Sequence, residues 1–273
     1  MTMDQALIRT EHRARVYKLL SDCYQSPDAE FPARVRELSG LLNALHPEIL
    51  LEVPNMPDGL DDADDKGVPD GTDASDGSDV PDDSETRSFL EELKVEHARL
   101  FIGPFSLPVP PYGSMYLDRE EHLMAESTKD VHQWYLSEGI ETALKEMPDH
   151  ICIELEFLYL LIYRELKAQE QTERSHDAGR EDRAGRPGGT GHSQVARQKS
   201  TADPATYRDK QRRFLEQHPG RWIPAFEKKV REHTGSAHTG SAHTGSALYR
   251  DLAAATRRFI AADLAELRRD VSG

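Results

Sequence analysis

Asp149, His150 and Glu154 are the residues whose types and spacing come nearest to a reaction centre in this chain. On a helix, His150 and Glu154 stand four residues apart, share a face and could take a divalent metal together. The same spacing also serves a plain hydrogen bond along a helix surface. An all-α metal enzyme needs a second Glu-x-x-His element, and the regions that read as ordered offer none. His233, His238 and His243 recur in a tandem HTGSA repeat, which suits a flexible linker better than a metal site because no carboxylate or thiolate accompanies them. Cys23 and Cys152 sit in apolar helical patterns and read as buried, reduced thiols. No phosphate-cradling glycine loop, HExxH, CxxC or GxSxG occurs. The expectation is a protein without catalysis, cofactor or metal.

Recognition chemistry is better supplied. Leu100 to Asp118, LFIGPFSLPVPPYGSMYLD, holds four prolines, two glycines and four aromatics in nineteen residues. Pro108, Pro110 and Pro111 fix φ and remove backbone donors, so this segment neither continues a helix nor joins a central strand. Phe101, Phe105, Tyr112 and Tyr116 are then carried on a stiff, extended backbone. Such a loop can be a plain connector between helices, but its density of aromatics argues for a binding surface.

The elements that must position this loop read as helices. Residues 4–25, 31–46 and 86–102 carry apolar side chains at helical spacing, among them Leu7, Leu20, Val35, Leu38, Phe89 and Leu93. Ser127, with Asp130 three residues on, reads as the cap of the next helix. Pro148 suits the first position of a helix over 148–168. That helix is apolar on most sides and should be the most buried. Trp134 and Trp222 fall at helical positions as core anchors, Trp134 alternatively as the wall of a groove. No alternating strand pattern or hairpin turn occurs, so the class is all-α, a single globular helical domain.

Between Asp58 and Glu85 eleven Asp, one Glu and one Lys give a net charge of −11, leaving −4 of the chain's −15 for everything else. Such a tract buries too little apolar area to fold. It marks the first of three polar insertions, at 55–86, 169–205 and 233–247, that are expected to be disordered. Nucleic-acid binding is not expected without a clustered basic face. No apolar run approaches the ~20 residues of a membrane span, and MTMDQALIRTEHRARV lacks a signal-peptide core, so the expected location is the cytoplasm.

Residues 100–120, with LMAEST (Leu123–Thr128), WYLSEGI (Trp134–Ile140) and MPDHICIELEFL (Met147–Leu158), resemble in order the motifs of the TorD/DmsD family of redox-enzyme maturation chaperones. The resemblance is nearest to the DmsD branch. HPGRWIPAFEKKVREH (His218–His233) and LYRDLAAATRRFI (Leu248–Ile260) are similar to that family's last two helices. Tyr112 and Tyr116 stand where tryptophans are common in the branch, and the three insertions are a further departure. The resemblance implies a hinge near 147–150, with Glu146 in the acidic place of an E-x-P-D-H motif and the Asp149–His150 pair beside a client-binding groove. A carboxylate at a helix N-terminus is favoured as the anion, and with a neighbouring histidine it could receive an arginine guanidinium; the same carboxylate could also simply cap the helix. The resemblance further implies a cytoplasmic chaperone that binds the twin-arginine signal peptide of a molybdopterin oxidoreductase precursor, of the DMSO-reductase type, and delays export until its cofactor is inserted. Phe105, Pro108, Tyr112 and Tyr116 are the groove candidates; Glu146, Asp149 and His150 are the polar ones. The alternatives are a NarJ-like assembly factor on the mature client subunit and an all-α enzyme with a carboxylate/His metal site.

Overall fold

Apolar residues at helical spacing fold into helices throughout the described residues of the computed structural model, which are 3–53, 83–103, 107–118, 125–140, 146–183, 203–235 and 244–271. In chain order these helices are α1 (Met3–Cys23), α2 (Phe31–Leu45), α3 (Asp83–His97), α4 (Ser114–Leu117), α5 (Glu126–Ser137), α6 (Ile151–Arg183), α7 (Pro204–Gln217), α8 (Pro219–Thr234) and α9 (Thr244–Val271). The described residues contain no strand, only one isolated antiparallel bridge, so the fold is all-α as expected.

α6 is the spine. It packs along α1 and α7, while α9 packs against α8 and α7. Ile151, Leu155, Leu158, Leu161 and Ile162 are fully buried on it, which follows from an apolar pattern that leaves no broad polar face. The helix continues past the expected end at 168 to Arg183. Glu, Gln and Lys are good helix formers, and the Lys167–Glu170 ion pair at 3.2 Å and the Thr172 hydroxyl bond to the Ala168 carbonyl at 2.9 Å support the extra turns. Apart from such helix ends, the three expected insertions lie outside the described residues, as do His238 and His243.

Two helix starts differ from expectation. Pro148 is not the first residue of α6; it sits in a turn, with its carbonyl accepting from the Tyr135 hydroxyl at 2.7 Å, and the helix begins at Ile151. Ser127 does not cap α5: Ala125, with extended backbone, precedes the first turn, and the Ser127 hydroxyl donates to the Asp118 carboxylate instead. The helix expected over 86–102 changes register at its end. Ala98–Ile102 form a π-helical turn, closed by the Gly103 N–H on the Ala98 carbonyl at 2.8 Å. The wider turn lets both Leu100 and Phe101 enter the core. Phe101 there meets Tyr24, His97, Phe226 and Tyr249 at centroid distances of 5.3–6.2 Å. Gly103 ends the turn at φ +43°, a left-handed value that favours glycine.

Candidate functional site

The Pro-rich loop and the start of α6 are sewn together by backbone. The Gly113 N–H donates to the Asp149 carbonyl and the Ile151 N–H to the Pro111 carbonyl, both at 2.9 Å, across the Tyr112–His150 bridge. Prolines at 108, 110 and 111 can offer only carbonyls here, and the unpaired donor in the first turn of α6 takes one of them. His150 caps the same helix: its Nδ1 accepts from the Cys152 N–H at 3.2 Å. Burial lowers the His150 pKa, against the opposite pull of Glu146 and Asp149. The neutral ring therefore carries its proton on Nε2 and presents a donor there, not an acceptor.

Asp149 turns inward. It is 1% exposed, and its Oδ2 accepts from the Ser114 N–H at 2.8 Å, which pins the start of α4 to the start of α6. Glu146 is exposed and lies 3.5 Å from the Tyr112 hydroxyl, at the limit of a hydrogen bond. The Tyr112 and His150 rings meet edge to face at 5.1 Å. Burial, and then the neighbouring Glu146, raise the Tyr112 pKa, so the phenol remains a donor. The fold thus brings Tyr112, Glu146, Asp149 and His150 together.

Tyr116 and Pro108 are set differently. The Tyr116 ring stacks on Trp222 of α8 at 5.6 Å, its hydroxyl donates to the Pro110 carbonyl at 2.8 Å, and the Lys229 ammonium lies 5.8 Å from its ring centre. It is a half-buried wall that ties the loop to α8. Pro108 is half-buried in the preceding bend, and Phe105 lies outside the described residues. Trp134 packs against Phe214 at 5.6 Å and donates to Gln217 Oε1 at 3.2 Å, so it combines core contact with an exposed edge.

Beneath the loop sits a residue with no surface role. Glu154 is 1% exposed, and the Trp222 indole N–H donates to its Oε2 at 2.8 Å. It makes no surface hydrogen bond with His150. Burial pushes its carboxyl well above the usual range; the Trp222 bond opposes this and Asp149 adds to it, so the fold favours the protonated form. Gly113 lies directly over the pair: a Cβ on it would fall 3.0 Å from Trp222 Nε1 and 3.3 Å from Glu154 Oε1. Sequence offered a signal for Glu154, since an acid on a helix without a polar face must find a buried partner. It offered none for Ser114, which acts through its backbone N–H. No group of three or more His, Cys, Asp or Glu among the described residues could hold a metal ion, and both cysteines are buried. Among those residues, no helix is long and apolar enough to cross a membrane.

Comparison with known proteins bears on this same region. Residues 77–184 match the family model described as nitrate reductase delta subunit. Over 62 residues the chain is 45% identical to the Tat proofreading chaperones DmsD of Salmonella typhimurium and Salmonella typhi, which covers 22% of this chain and 30% of each relative. Over 73 residues it is 37% identical to the chaperone protein TorD of Aliivibrio fischeri, covering 26% of this chain and 34% of that one. The chain therefore matches about a third of the length of these relatives.

Proposed function

From the match of residues 77–184 and the likeness to the DmsD and TorD chaperones, we propose that the chain is a TorD/DmsD-type redox-enzyme maturation chaperone and that it binds the twin-arginine signal peptide of a molybdopterin oxidoreductase precursor. In this reading it works in the cytoplasm, catalyses nothing, and delays export of the precursor until the cofactor is in place.

The observation that carries the reading is the exposed Glu146 carboxylate beside the edge-to-face Tyr112 and His150 rings, on a loop held by Asp149. A guanidinium finds there an anionic acceptor and an aromatic ring to lie against. Asp149, being buried, serves the site by positioning Ser114 and the Tyr112–Tyr116 segment. Less than one turn beyond His150, an apolar depression of about 290 Å3 opens among Tyr135, Ile140, Ile153, Phe157 and Leu160. Arginines at Glu146 followed by a helical apolar segment along α6 match the order of groups in a twin-arginine leader, a helix-in-groove arrangement. Apolar burial supplies most of the affinity, at ~25 cal/mol per Å2 before ordering costs.

Titration calorimetry with a leader peptide and its twin-lysine counterpart tests this. The twin-arginine peptide binds more tightly, and Glu146→Gln narrows the gap; equal affinity for both peptides, unaffected by Glu146→Gln, removes the site. A second reading, an assembly factor on the mature part of its client, is favoured by the description of the matching family model as a nitrate reductase subunit. It gains if the precursor without its leader binds as tightly as the whole.

A further inference from the structure

Far from the motif loop, α1, α6, α7 and α9 line an open cleft of about 400 Å3. Arg9 and Arg13 of α1, Arg208 of α7 and Arg269 of α9 line it, with Thr10 and Gln169 as neutral polar groups and Glu266 as an acid. Four guanidinium groups around one hollow are a local reversal of sign in a chain of net charge −15. Their commitments differ. Arg13 is held by Asp263 at 2.6 Å and Gln211 at 3.0 Å and acts as the floor. Arg9 is paired with Glu266, which also lies near His46. Arg208 stands 3.5 Å from Glu165. Arg269 is exposed and makes no ion pair or hydrogen bond among the described residues. Among the residues that line the cleft, Glu266 is the one acid against these four cations.

We propose that this cleft is a binding site for a small polyanion bearing phosphate or carboxylate groups. Its volume falls in the ~300–1,000 Å3 range of small-molecule sites. Guanidinium forks match both oxyanions bidentately. Arg269, without a partner among the described residues, supplies one fork, Arg208 stands beside the entering anion, and Arg9 exchanges Glu266 for it. A ligand seated there bridges helices from both ends of the chain, so its binding raises the stability of the folded state.

The test uses the full chain with inorganic pyrophosphate and with citrate as probes, at ionic strength matched by sodium chloride, read by calorimetry and by melting temperature. A saturable stabilisation above the chloride control is expected. Arg269→Gln, an exposed change that leaves the unliganded melt unaltered, should weaken binding on the order of tenfold. Binding of pyrophosphate alone assigns the site to phosphates, of citrate alone to carboxylates, and of both to polyanions generally. No saturable effect beyond chloride overturns the proposal. So does equal binding by the wild type, Arg269→Gln and Arg208→Gln.

Discussion

Glu154→Gln should make the protein more stable as pH rises, and the size of the gain follows from one proton. Burial pushes the pKa of the Glu154 carboxyl well above the usual range, with Trp222 opposing the shift and Asp149 adding to it, so the folded state favours its protonated form. In the unfolded chain the group ionises near its ordinary value of ~4.3. A group whose folded pKa is raised contributes stability that is complete below the unfolded pKa and is lost as pH climbs toward the folded one. Across that window the native state holds one proton more than the unfolded state, so stability falls by about 1.4 kcal/mol per pH unit. Glutamine keeps a carbonyl oxygen for the Trp222 N–H, which now donates over 2.8 Å, and it has no proton to lose. The difference between variant and wild type should therefore widen from pH 5 up to the folded pKa by about 1.4 kcal/mol per unit, or roughly 3–5 °C in melting temperature for a chain of this size, and level off above it. Urea unfolding of both proteins at half-unit steps from pH 4.5 to 8 measures it, and all other titrating groups cancel in the difference. Parallel stability curves across that range would refute the assignment of a raised Glu154 pKa.

Asp149→Ala should weaken leader-peptide binding by about 1–3 kcal/mol by freeing Ser114 and the loop, whereas Asp149→Asn, which keeps an acceptor for the Ser114 N–H, should restore most of it in the same titration. Gly113→Ala drives a methyl toward Trp222 Nε1 and Glu154 Oε1, and chemical denaturation should show a loss of about 1–3 kcal/mol, as for other overpacked sites. Deleting residues 58–82, which precede α3, should leave the helical circular-dichroism signal and the cooperativity of melting unchanged, because a segment with ten Asp has little apolar area with which to offset its ordering entropy.

Much of this was legible in the chain. The apolar periodicity of α1, α2 and α6 and the absence of alternating patterns led directly to an all-α fold. The clustering of prolines and aromatics led to the loop that joins Tyr112 to His150. What escaped notice was longer in range. Asp149 at the start of a helix suggests a local cap, yet it reaches across to Ser114, and His150 does the capping. Tyr116 on a stiff loop suggests a projecting ring, yet Trp222, more than a hundred residues on, offers a stacking face 5.6 Å away. The π-turn at Ala98–Ile102 has no local marker except Gly103, because it answers to the shape of the aromatic cluster it feeds. Local periodicity identifies which face of a helix is buried; it does not identify the partner across the core.

The pairing of Arg13 with Asp263 spans 250 residues. Tyr17 joins it, donating to the same carboxylate at 2.9 Å, and Glu165 approaches from α6 at 3.9 Å. During synthesis α1 leaves the ribosome well before α9, and the acid that neutralises its buried guanidinium arrives roughly 12–50 s later at ~5–20 residues per second. Until then α1 cannot settle into its final place without burying an unpaired charge, which is among the more expensive errors a fold can make. Closure of the bundle thus waits on α9. A nascent chain of this protein spends its early life with α1 unclaimed, itself a polypeptide in need of holding.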